Sequence, residues 1–173
     1  MKSTFNWNES AMKKVLLCTT LLSVAYLGMS STYAATPTTA EAITQSASQT
    51  ERNKAIVIDF FEGVFQKHDV KAYSDRYLDN DYIQHNPFVP NGKAAFINYF
   101  VPYFKENPSA KSSIKRVIAD GDLVWLHVHA QENAKDLGSA VVDIFRLKDG
   151  KIVEHWDVVQ KIPAKSANSN TMF

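Results

Sequence analysis

Cysteine is almost missing: among 173 residues only Cys18 carries a thiol. It lies in the uncharged run Val15 to Met29, which follows Lys13-Lys14 and precedes Ser30-Ser31-Thr32-Tyr33-Ala34. A basic start, a short apolar stretch and a small-residue end have the layout of a secretory signal peptide. Cleavage after Ala34 removes the only thiol, so the exported chain is expected to have no disulfide, no thiolate nucleophile and no cysteine–zinc site. Cys18 sits at the start of the apolar run rather than behind it, which argues against lipid attachment. The residues before Ala11 are polar and add nothing to this layout, leaving Met12 as an alternative start. Charge of one sign is also lacking, with 19 Lys plus Arg against 18 Asp plus Glu. That balance leaves no footprint for a nucleic-acid backbone or an anionic membrane. No apolar run reaches the roughly 20 residues of a spanning helix, so no membrane association is expected once the signal is gone. The six glycines are scattered, which excludes a Gly-rich phosphate loop and a G-x-S-x-G elbow.

What remains is a globular composition, 45% hydrophobic and 21% charged. Residues 1–34 read as the signal peptide, 35–49 as a flexible leader rich in Thr, Ser and Ala, 50–163 as one domain, and 164–173 as a frayed tail. From Glu51 to His68 the apolar residues Ile56, Val57, Phe60, Phe61, Val64 and Phe65 recur at helical spacing. Asp69 is placed to cap a second short helix through Leu78. Asn80 to Gly92, with Pro87 and Pro90, reads as a loop. A third helix from Lys93 towards Glu106 presents Phe96, Phe100, Tyr103 and Phe104, with a kink expected at Pro102. After Ser109 the texture changes to strands: Lys111–Ile118, Leu123–Ala130, Ala140–Leu147 and Ile152–Lys161, separated by turn chemistry. Helices followed by an antiparallel meander predict an α+β domain with helices packed on one face of a curved sheet.

The Asp149-Gly150 turn fixes the last hairpin so that facing residues sum to 299 or 300. The second choice sets Asp143 opposite Asp157, Phe145 opposite His155 and Arg146 opposite Glu154. Alternation then puts Asp143, Phe145, Leu147, Val153, His155, Asp157 and Val159 on one side. Val142, Ile144, Arg146, Glu154, Trp156, Val158 and Gln160 take the other, with Arg146 and Glu154 as a cross-strand ion pair. Two carboxylates and an imidazole on an otherwise apolar face are costly unless paired or protonated, and acid/base chemistry uses such pairs. His127 and His129 share a strand face and read as polar pocket lining; their H-x-H spacing lacks a third ligand, so no metal is expected. His85 is a loop histidine ahead of the third helix and a candidate site residue.

Several of these segments resemble a known family. They are Tyr82-Ile83-Gln84-His85-Asn86-Pro87, Asn91-Gly92-Lys93 and Ile118-Ala119-Asp120-Gly121-Asp122-Leu123-Val124. Val142-Asp143-Ile144-Phe145-Arg146-Leu147 and Gly150-Lys151-Ile152-Val153-Glu154-His155-Trp156-Asp157-Val158-Val159-Gln160 complete the set. Together they are similar to the SnoaL-like polyketide cyclases of the nuclear transport factor 2-like superfamily, over roughly Glu51 to Pro163. The resemblance implies a cone: a strongly curved antiparallel sheet packed on N-terminal helices around an apolar pocket. It implies ring closure by aldol condensation without a cofactor, with Asp157 similar to the catalytic carboxylate. Ketosteroid isomerases share the superfamily fold, and Asp143 lies in the stretch resembling the one that carries their oxyanion-binding acid. Fold does not fix function in this superfamily.

These readings combine into an exported, cofactor-independent acid/base enzyme acting on a small apolar carbonyl compound by cyclase, isomerase or lyase chemistry. Asp157 would be the base, protonated Asp143 with His85 the oxyanion donors, and His127, His129, His155, Phe60, Phe96 and Phe100 the substrate contacts. The discriminating observation is convergence of Asp143, Asp157 and His85 on one pocket. The alternative is a periplasmic binding protein using the same pocket without turnover. The apolar outer side of the last hairpin predicts a homodimer.

Overall fold

The computed structural model describes residues 37–173. The expected signal peptide, its cleavage point and the alternative start at Met12 lie outside the described residues. Helix α1 (Thr39–Phe65) opens with a capping box: Thr38 Oγ1 accepts from the Glu41 backbone N–H, and the Glu41 carboxylate accepts from Thr38 N–H at 2.7 Å. The stretch expected to be a flexible leader is therefore helical from Thr39 onward. Its residues through Gln49 are exposed, so no apolar periodicity marked it; the cap and good helix formers decide it. The buried stripe Val57, Phe60, Phe61 and Val64 begins further along.

Helix α2 (Val70–Tyr77) is capped by Asp69, whose carboxylate accepts from Ala72 N–H. Strand β1 (Leu78–Gln84) follows at once, where a loop was expected. Asn80 and Asp81 are poor strand formers, so tertiary pairing rather than local propensity makes this strand. Helix α3 (Lys93–Glu106) is not split at Pro102, which lies inside it. Strands β2 (Lys111–Asp120), β3 (Leu123–Gln131), β4 (Ser139–Lys148) and β5 (Lys151–Lys161) form the meander. The sheet order is β1-β5-β4-β3-β2, with β1 parallel to β5 and every other pairing antiparallel. It is open and curved, and packs against the helices.

Asp149 and Gly150 both have positive φ, 50° and 76°, as a two-residue Asp-Gly hairpin turn requires. Asp143 faces Asp157, Phe145 faces His155 and Arg146 faces Glu154, as the sum of 300 predicts. A bulge then shifts the register, so that Leu147 faces Ile152. Val153 is the extra residue, and fully buried Ile152 takes the inward place expected for Val153. The core lies between the inner sheet face, led by Val124, Leu126 and Val128 of β3, and the aromatic side chains of α1 and α3. The segment expected to fray, 164–173, has no regular structure, yet Phe173 packs its ring on His127 and His129.

Candidate functional site

Between the helices and the inner sheet face lies a cavity of about 880 Å³. Phe60 and Phe61 of α1, and Phe96, Phe100 and Phe104 of α3, wall it on one side; Val128, Val141 and Phe145 wall it on the other. Phe60, Phe96 and Phe100 are thus where the sequence placed them. Asp143 of β4 and His155 and Asp157 of β5 also line it. Each of these three offers one polar atom, and the three atoms lie within 4.8 Å of one another.

Strand pairing produces this convergence. Asp143 and Asp157 are directly opposite, and Phe145–His155 is the next inward pair. His155 Nε2 is 3.1 Å from Asp143 Oδ1, in a contact that is buried on both sides. Burial pushes the Asp143 carboxyl above the ordinary aspartate value; His155 opposes that shift and Asp157 adds to it. The three atoms are close enough together to hold a small cation between them.

Strand β1 and the residues just beyond its end supply three residues that sequence reasoning missed. Tyr82, Gln84 and Asn86 alternate inward, and all three line the cavity. Gln84 Oε1 lies 2.8 Å from His155 Nδ1 and 2.9 Å from the Asn86 backbone nitrogen. Gln84 Nε2 donates to the Tyr82 hydroxyl at 3.1 Å, and Asn86 Nδ2 donates to Asp157 Oδ2 at 2.6 Å. Tyr82 is 1% exposed, and burial, reinforced by Asp143 and Asp157, pushes its hydroxyl well up. Period-2 alternation through Tyr82-Ile83-Gln84-His85-Asn86 was the available signal, but it is usable only once the segment is known to be a strand.

The same alternation sends His85 to the other side of the sheet. Its ring stacks on Trp156 with centroids 4.7 Å apart, and its Nε2 lies 2.8 Å from Glu154 Oε1. Glu154 also accepts from Arg146 Nε at 2.9 Å, while Arg146 donates to Asp122 at 2.8 Å. The hydrogen bond from His85 is the main influence holding the Glu154 carboxyl below its ordinary value, with Arg146 adding to it. The expected cross-strand pair Arg146–Glu154 is present, but His85 joins it instead of the cavity. His127 and His129 also face outward, because Val124, Leu126 and Val128 take the inner positions of β3. His127 contacts Arg116, and His129 Nε2 donates to the Leu137 carbonyl, 2.8 Å away. The expectation that these two histidines line the pocket, and that His85 joins the acids, is corrected by strand phase. The convergence that was to discriminate the enzyme reading is met by Asp143 and Asp157 but not by His85, while the three phenylalanines do line the pocket.

A second groove of about 710 Å³ runs between α1 and the β2–β3 and β4–β5 turns. Asn53 on its wall uses its side-chain amide on the Gly121 carbonyl, which ties α1 to the turn. No described helix is long and apolar enough to cross a membrane.

Comparison with known proteins bears on the fold. No curated protein sequence matches the chain. Among solved structures, a candidate SnoaL-like polyketide cyclase from Jannaschia sp. CCS1 superposes with a TM-score of 0.56 at 18% identity, covering 64% of this chain and 87% of that one. A candidate ketosteroid isomerase from Kribbella flavida gives 0.55 at 16% identity, covering 69% and 86%. An NTF2-like protein of unknown function from Mesorhizobium loti gives 0.54 at 22%, covering 65% and 93%. The pattern of the SnoaL-like domain matches residues 57–155. Because that match runs from the helix walling the cavity to the histidine on its floor, this chain belongs to the SnoaL-like domain family.

Proposed function

We propose that this chain is a cofactor-independent acid/base enzyme acting on a small, largely apolar carbonyl compound, in aldol-cyclase, isomerase or lyase chemistry. The observation that carries the reading is the placement of two carboxylates and an imidazole, polar atoms within 4.8 Å, on the floor of an aromatic-walled cavity. Asp157 takes the proton from the carbon α to the carbonyl. The C–H electron pair becomes the enolate double bond and the charge moves to the oxygen. The Tyr82 hydroxyl donates to that oxygen, and Asp143 swings the proton it otherwise shares with His155 Nε2 onto it. Tyr82 is suited to this role because burial keeps its O–H intact well above neutral pH. The candidate cyclase and isomerase among the structural relatives favour this reaction class, at identities that establish fold alone. We extend the proposal to export, from the signal-like start, and to a homodimer through the outer sheet face.

The test is solvent-deuterium incorporation at the α carbon of 1-tetralone and 2-decalone, followed by NMR. Exchange faster than in buffer, lost in Asp157→Asn and reduced less in Asp143→Asn, is the expected result. Equal rates with and without protein would overturn the reading. Native mass spectrometry of protein from its own periplasm separates the binding-protein alternative: a ligand retained unchanged on prolonged incubation favours carriage, and conversion favours catalysis.

A further inference from the structure

We propose that Gln84 and Asn86 assign opposite roles to the two acids, with Gln84 acting through His155 to make Asp143 the proton holder and Asn86 holding Asp157 ready to accept. The inference rests on the acid/base reading for its consequence in turnover, but its hydrogen-bond logic stands without it. The logic starts from a group whose polarity is fixed. The Asn86 backbone nitrogen bears a hydrogen and can only donate, so the Gln84 atom 2.9 Å away is the carbonyl oxygen. That same oxygen lies 2.8 Å from His155 Nδ1, which must therefore carry the hydrogen. The other Gln84 atom is then its NH2, in agreement with its donation to Tyr82.

With Nδ1 protonated, a neutral His155 presents a bare lone pair at Nε2 to Asp143 Oδ1, 3.1 Å away. Two acceptors cannot bond without a hydrogen between them. One proton therefore belongs to the Asp143–His155 pair, and in a neutral pair it sits on Asp143. A buried neutral pair avoids the cost of separating charge away from water. Asp157 meets a different partner: Asn86 offers it a side-chain N–H at 2.6 Å, which Asp157 Oδ2 accepts. Groups facing Asp143 are His155 and Asp157 from β5 and Tyr82 from β1; none is a fixed cation that would hold it ionised. Gln84 and Asn86 are positioning residues here. His85 between them, stacked on Trp156 and bonded to Glu154 on the outer face, keeps both neighbours turned inward.

The experiment is 15N-resolved NMR of the histidine rings in the intact chain, with the His155 signals assigned by His155→Gln. The wild type at neutral pH should show a protonated, pyrrole-type Nδ1 and an unprotonated, pyridine-type Nε2. In Gln84→Leu, where Nδ1 has no acceptor, Asp143 should pass its proton to Nε2 while Nδ1 releases its own to solvent, leaving an Nε2–H that donates to an ionised Asp143. Gln84→Glu should instead hold His155 as the imidazolium, with both nitrogens pyrrole-type. A wild type with its hydrogen on Nε2 overturns the proposal whether or not either variant folds. So does a folded Gln84→Leu variant with the wild-type signature. Turnover of deuterium into 1-tetralone is a separate readout: its absence with the expected tautomer in place would sink the enzyme reading and leave the proton assignment standing.

Discussion

At the scale of single residues, the energetics of the cavity floor centre on Asp143. The residue is 8% exposed, and burial raises its carboxyl above the ordinary aspartate value. For an acid raised on folding, the native state binds more protons than the unfolded chain, so stability falls as pH rises above the unfolded value of about 4. Asp143→Asn removes that titration while retaining a donor for His155 Nε2. Urea unfolding should show wild type losing stability relative to Asp143→Asn as pH is raised from about 4 through neutrality. Parallel stability curves for the two chains would mean that Asp143 ionises freely. The location of this acid pair was legible as one of the two registers, 299 and 300, that an Asp-Gly turn allows; the bulge at Val153, which no local signal marks, selects the second. His85 was not legible. The segment around it contains Asn80, Asp81 and Pro87, and its strand exists only because β5 lies beside it in space. Without a strand there is no alternation to apply, and Gln84 and Asn86 were overlooked for the same reason.

At the scale of elements, close packing of α1 on α2 depends on a residue with no side chain. Gly63 is buried in α1, and a Cβ built there would run into the Tyr73 ring of α2. Alanine is the better helix former by about 1 kcal/mol. Overpacking costs typically about 1–3 kcal/mol, and here the obstacle is a ring rather than the free end of a flexible chain. The clash should win: Gly63→Ala should lower the urea midpoint, and an unchanged or higher midpoint would show that α2 shifts freely. Other element features explain which boundaries the sequence revealed. Helix α3 and the four meander strands were recoverable because apolar periodicity and turn residues agree there. The first half of α1 was hidden because its exposed residues carry no apolar stripe, and the T-x-x-E cap was the remaining signal. The bulge at Val153 changes the sum of facing residues from 299 beside the turn to 300 beyond it, and this shift is what sets Asp143 opposite Asp157.

At the scale of the whole molecule, the outer face of the sheet is the feature still without a partner among the described residues. Register places Ile118 beside Trp125, Trp125 beside Ile144, and Ile144 beside Trp156, an apolar row crossing four strands. Val142 and Val158 form part of the next row, at 38% and 68% exposure. Aromatic and aliphatic rows of this kind are the part of an interface that contributes most on burial. A stable interface of standard size buries about 800 Å² on each partner, and face-to-face contact of two such sheets supplies an area of that order. The outer ion network of His85, Glu154, Arg146 and Asp122 would then lie at its margin, where charges set alignment more than affinity. Multi-angle light scattering of residues 35–173 should give the mass of a dimer. Val142→Glu combined with Val158→Glu, both at exposed positions that leave the core intact, should give the mass of a monomer with unchanged circular dichroism. A wild-type monomer mass that holds across concentration would remove the dimer, and the apolar row would then need a different partner.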